Sequence, residues 1–178
     1  KTAPTSAGVI QAINNGRLTW EMVPTEMLNV PEVLSTLVET MPVMATIRQL
    51  NRLTDTGALD VGFTLPNVIS KLTDADEVQA SGIHPIFVLS AIKTYGAGKG
   101  DKGNKTWIPN QRILDALQKT FELAFSSLNQ EPIQGVKTLI AVDVSASMRS
   151  PASGSNMLCT EASDALCLTN LKQIDDSE

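Results

Sequence analysis

Pro31-Glu-Val-Leu-Ser-Thr-Leu-Val-Glu-Thr-Met41-Pro42-Val-Met-Ala-Thr-Ile-Arg48-Gln-Leu-Asn-Arg-Leu53 decides the fold class. Apolar side chains recur every three or four residues on both sides of Pro42. Val33, Leu34, Leu37, Val38 and Met41 make one stripe, and Val43, Met44, Ile47, Leu50 and Leu53 make a second. That period is the α-helical one. Pro31 suits the first turn of a helix, where a missing N–H costs nothing. Pro42 starts the next helix, and Gly57 follows as its stop.

Outward from this pair the same period continues. Residues 5–15 predict a short helix with Val9, Ile10 and Ile13 on one side, and residues 65–72 add a turn or two around Val68, Ile69 and Leu72. Pro85 opens a helix to Tyr95 that is apolar almost all round (Ile86, Phe87, Val88, Leu89, Ala91, Ile92), a pattern that predicts burial. Asn110 caps a long helix carrying Ile113, Leu114, Leu117, Phe121, Ala124, Phe125 and Leu128. At Pro132 the pattern changes. Thr138-Leu-Ile-Ala-Val-Asp143 is apolar without a helical period and reads as a strand buried on both faces. Residues 160–174 then read as a helix. The expectation is about six helices, then one strand and one helix. A lone parallel strand needs neighbours on its edges. They are expected from another chain or from sequence after Glu178.

Composition removes several classes. Gly and Pro total 20 of 178 residues, which excludes collagen-like and low-complexity chains. The apolar runs fall far short of the about 18 residues of a membrane span. Lys1-Thr-Ala-Pro-Thr-Ser6 is not a leader of basic then apolar residues, and the absence of an initial Met suggests a processed or trimmed piece. Cys159 and Cys167, eight residues apart on one helix, would sit about 12 Å apart at Cα, too far to bridge. Two unpaired cysteines suit a reducing compartment, which points to the cytoplasm.

The formal charge of −5 is unevenly spread. Residues 93–119 hold Lys93, Lys99, Lys102, Lys105, Arg112 and Lys119 against Asp101 and Asp115. The island centres on Gly96-Ala-Gly-Lys-Gly-Asp-Lys-Gly-Asn-Lys105. This is either a solvated surface loop or a phosphate-contacting one, where lysines neutralise charge and glycines permit close approach. It is not a Walker loop, because no Gly-Lys-Ser/Thr follows at the required spacing.

Asp143-Val-Ser145-Ala-Ser147 stands directly after the apolar run. Asp-x-Ser-x-Ser at the carboxyl end of a strand is the pattern of a metal-ion-dependent adhesion site. One carboxylate and two hydroxyls at alternating positions offer hard oxygens of the kind Mg²⁺ takes. The bland alternative is a serine-rich turn in which Asp143 and the serines cap the next helix.

Leu139-Ile-Ala-Val-Asp-Val-Ser-Ala-Ser-Met148 resembles the opening of the von Willebrand factor A domain of the Ro autoantigen family. Upstream, Glu39-Thr-Met-Pro-Val-Met-Ala-Thr-Ile-Arg48-Gln-Leu50, Ile83-His-Pro-Ile-Phe87 with Tyr95, and Trp107-Ile-Pro109 with Ile113, Leu114, Ala116 and Leu117 resemble the last helical repeats of its TROVE module. The likeness covers residues 18–148. It implies HEAT-like helix pairs over residues 1–131 and the truncated start of an α/β A domain over residues 132–178. The family's metal-completing Thr and Asp loops would lie beyond this sequence, so the metal site is expected to be incomplete and weak. The resemblance further implies a noncatalytic protein that binds small noncoding (Y-like) RNAs and the 3′ ends of misfolded RNAs.

The candidate RNA-contacting residues are Arg48, Lys99, Lys102 and Lys105, and the candidate metal ligands are Asp143, Ser145 and Ser147. Arg48 could equally form a helix-surface ion pair, and Trp20 and Trp107 read as core anchors before they read as base-stacking groups. His84 reads as packing at the start of a helix, because no nucleophile stands at a catalytic spacing from it. The rival reading is a metal-dependent protein-adhesion module, or a structural fragment, without RNA binding.

Overall fold

In a computed structural model the chain is described at residues 5–100, 105–126, 139–152 and 156–171, without the side chains of 169 and 170. The order is α1 (Ser6–Asn14), α2 (Pro31–Thr40), α3 (Val43–Asp55), α4 (Thr64–Thr73), α5 (Ala75–Ser81), α6 (Pro85–Gly96), α7 (Gln111–Ser126) and α8 (Cys159–Leu171), with short 3₁₀ turns between some of them. Local chemistry sets the ends. Thr5 Oγ1 accepts the Gly8 N–H at the start of α1, and Asp74 Oδ1 accepts the Glu77 N–H at the start of α5. Gly57 and Gly82 take the left-handed conformation after α3 and α5, where a side chain would be strained.

The stripes read from the sequence form the core. Leu34, Leu37, Leu50, Leu53, Leu72 and Leu117 are fully buried. Each such side chain contributes about 1.5–3 kcal/mol on burial. Helix α7 lies against α4, α5 and α6, and α2 packs on α1, α3 and α4. Polar side chains satisfy the helix ends that meet in this core. Lys71 Nζ donates to the Met41 carbonyl at the end of α2 (2.6 Å). The buried Thr120 hydroxyl on α7 reaches the Leu72 carbonyl at the end of α4 (2.7 Å) and the Ala116 carbonyl of its own helix (2.9 Å). The Met41 and Leu72 carbonyls lie at helix ends, where no N–H of their own helix is left to serve them.

Three expectations are corrected. Residues 139–144 are not a buried strand: they carry no regular secondary structure, and Leu139 and Val144 are 92% and 87% exposed. The physical reason is edge pairing. The described residues supply no neighbouring strand, only isolated bridges at Lys99–Thr106 and Pro151–Leu158. Helix α6 is not buried all round either: Pro85, Val88 and Tyr95 are, while Phe87, Leu89, Ala91 and Ile92 are half-buried because they line two clefts. Helix α5 was not foreseen, since Val78 is its one buried residue and leaves no stripe. Leu128 lies outside the described residues. Cys159 and Cys167 are both free thiols, as their spacing requires. Among the described residues, no helix is long and apolar enough to cross a membrane.

Candidate nucleic-acid interface

The site is built where α3, α6 and residues 105–107 meet. Tyr95, at the end of α6, holds them together. Its hydroxyl pairs with Thr54 Oγ1 on α3 (2.8 Å) and accepts the Asn110 N–H ahead of α7 (3.1 Å), while its carbonyl accepts the Trp107 indole N–H (2.9 Å). The two rings stack with centroids 6.3 Å apart. Trp107 is therefore the core anchor its sequence context suggested, and Trp20 packs half-buried at the edge of the same core.

Gly98 makes the glycine-rich loop possible. At φ +66° it accepts the Trp107 N–H (2.8 Å), and a Cβ there would lie 2.7 Å from the Trp107 carbonyl oxygen. The Gly100 N–H bonds to the Lys105 carbonyl (3.2 Å), so the loop leaves and rejoins the fold as a narrow antiparallel neck.

Two adjoining clefts open beside this neck. One, of about 180 Å³, is lined by Arg48, Asn51, Phe87, Thr94, Tyr95 and Trp107 among others. The second, of about 210 Å³, is lined by Arg48, Gln49, Asn51, Arg52, Asp55, Lys105 and Trp107. Arg48 and Lys105 thus meet in one groove, although 57 positions separate them in the chain. Arg48 lies over the Phe87 ring, 5.6 Å from its centroid. Lys105 Nζ stands 3.7 Å from Asp55 Oδ2, a loose and solvent-exposed pair of little energetic weight. Arg52 Nη1 donates to Gln49 Oε1 (3.2 Å). Three cations face one carboxylate.

Lys99 sits across the neck from Thr106 and lines neither cleft. Lys102 lies outside the described residues. Lys93, part of the basic island, is engaged elsewhere, in an ion pair with Glu161 on α8. Arg52 and Asn51 escaped the sequence reading. The available signal was Arg48-Gln-Leu-Asn51-Arg52: the i, i+3 and i, i+4 spacings place all three on one helical face. His84 caps α6, its Nδ1 accepting the Ile86 N–H (3.2 Å).

The Asp-x-Ser-x-Ser cluster forms a separate, exposed turn. Asp143 Oδ1 accepts the Ser145 N–H (2.8 Å), and the Ser145 and Ser147 hydroxyls lie 2.8 Å apart. The Ser145 N–H first, and its hydroxyl second, hold the Asp143 carboxyl below its ordinary 3.8, so it is ionised at neutral pH. All three side chains come together. The donors are hard oxygens and fit Mg²⁺ in kind, but they make three ligands of six, with one charge. Among the described residues no three or more His, Cys, Asp or Glu side chains gather around a metal position.

A comparison with known families matches residues 13–135 to the TROVE domain. The chain belongs to the TROVE domain family. The TROVE chain is 42% identical over 164 residues to the Caenorhabditis elegans protein named RNA-binding protein RO60, covering 92% of this chain and 25% of that protein. It is 35% identical over 148 residues to the Deinococcus radiodurans protein of the same name, covering 82% and 27%. The crystal structure of the Deinococcus radiodurans RO (RSR) protein superposes with a TM-score of 0.82 at 31% identity, over 98% of this chain and 35% of that one. The mainly helical fold is thus shared with a Ro protein. The chain spans about a quarter of the length of the curated relatives it matches.

Proposed function

We propose that the groove between α3, α6 and residues 105–107 binds single-stranded RNA, as a noncatalytic interface of the Ro type. One observation carries this reading: Arg48 and Arg52, one turn apart on α3, converge with Lys105 from the distant loop on one groove beside Phe87 and Trp107. Cations beside aromatic rings suit a strand whose phosphates are charged and whose bases are flat. The names of the relatives, both called RNA-binding proteins, support it. Small noncoding RNAs and the loose 3′ ends of misfolded RNAs are the ligand class, and the cytoplasm the compartment. Lys99 at the neck, and Lys102 by its place in the sequence, would add to the positive charge of the loop.

Anisotropy with a labelled single-stranded RNA is the test. Changing Lys99, Lys102 and Lys105 together to Glu should abolish binding. Arg48→Ala should lower affinity while moving the melting temperature by no more than a couple of degrees, because Arg48 is exposed and a cation–ring contact at an exposed site is worth only about 0.5–1 kcal/mol. Unchanged affinity in both variants at 150 mM salt would refute the interface.

The adhesion reading rests on Asp143, Ser145 and Ser147, held together in one turn. As the opening of an A-type domain, this turn would hold Mg²⁺ through one carboxylate and two hydroxyls. The ion would supply a Lewis-acidic position for a partner's carboxylate or phosphate.

A further inference from the structure

The Arg48 guanidinium makes no hydrogen bond or ion pair among the described residues. It lies over the face of the Phe87 ring. Arg48 is exposed and lines the groove. One turn further along α3, Asn51 uses its Oδ1 to accept the Arg52 N–H (2.8 Å), and its Nδ2 has no partner among the described residues. Both side chains line the same cleft. At about 180 Å³ it is smaller than the roughly 300–1,000 Å³ of sites that enclose a drug-sized ligand, and of a size to admit one flat ring system.

We propose that this cleft is a subsite for a single nucleobase. The base stacks on the outward face of the Arg48 guanidinium, forming a three-layer stack with Phe87. The Asn51 amide donates to a carbonyl oxygen or ring nitrogen on the base edge. Arg52 and Lys105, in the adjoining cleft, take the phosphate next to it. This rests on the RNA reading above and adds to it: charge alone would tolerate Lys at position 48, whereas stacking demands the planar, delocalised guanidinium. Phe87 holds that plane in place, because a guanidinium is attracted to the face of an aromatic ring.

The test uses two single-stranded RNAs of equal length, one normal and one with abasic positions, and a third carrying 2-aminopurine as a stacking reporter. The wild-type chain should bind the abasic strand roughly tenfold more weakly, the scale of one lost base stack. The 2-aminopurine emission should fall on binding. Arg48→Lys keeps the charge and should erase both differences while leaving the salt slope unchanged. Phe87→Leu, which preserves apolar bulk, should weaken them. Equal affinity for the normal and abasic strands, with unquenched 2-aminopurine, would overturn the base subsite and leave RNA binding intact. Failure of every RNA to bind would overturn the RNA reading and the subsite with it.

Discussion

Gly98 is the residue at which one methyl group should matter most. Its left-handed backbone costs an L-residue about 1–2 kcal/mol, and the added Cβ would press on a main-chain oxygen that cannot swing aside. Gly98→Ala should lower the melting temperature by several degrees and disturb the Trp107 fluorescence, since the neck bond from Trp107 would lengthen. A melting temperature within one degree of wild type would contradict the strained geometry. Much at this scale was legible. Pro31 and Pro85 stand at the first turn of their helices, and Asn110 caps the helix it precedes through its bond to the Arg112 N–H. The meeting of Arg48 with Lys105 was not legible, because only tertiary packing joins positions so far apart. Asp143, Ser145 and Ser147 were legible as a cluster, since a local turn is enough to gather alternating residues.

Among the elements, polar groups tie α8 and the residues ahead of it to α6. Asn156 bonds with Ser90 and Thr94, and Glu161 pairs with Lys93 and accepts the Leu158 N–H (2.6 Å). Lys93 first, and the Leu158 N–H second, hold the Glu161 carboxyl below its ordinary 4.5. A lowered folded-state pKa contributes stability above the unfolded value and loses it as pH falls through the folded one. Docking of α8 should therefore weaken as pH drops below about 4.5. Protection of residues 159–168 relative to the intrinsic exchange rate should fall there, and Glu161→Gln should show that low protection already at neutral pH. Protection in the variant equal to that of wild type at neutral pH would dismiss the clamp. The long stripes of α2, α3 and α7 were readable from their period alone. The apolar circumference of α6 was over-read as burial because periodicity reports which surfaces are apolar. It does not report that two of them border open clefts.

For the whole molecule, a net charge of −5 and a cationic groove coexist, and salt can separate them. Three cations releasing counterions from a single strand give a slope of roughly −2 in log K against log salt, at about −0.7 per phosphate. A slope near zero would mean that the acidic surface outweighs the groove. Mg²⁺ should bind this chain in the millimolar range or more weakly, as about half of an octahedral shell with one charge implies. Titration calorimetry that found micromolar binding, removed by Asp143→Ala, would show the site to be complete. The Tyr95 hydroxyl joins α3, α6 and the segment leading into α7 at a single oxygen. A groove tied at its floor in this way is preorganised. The helices that form its walls are fixed before a ligand arrives, so on the protein side only exposed side chains such as Arg48 and Lys105 are immobilised, at about 0.5–1.5 kcal/mol each, and the rest of the ordering is borne by the incoming strand. Affinity should therefore follow the stiffness of the RNA more than that of the protein: a strand already stacked in solution would bind faster and hold longer than a limp one of the same charge.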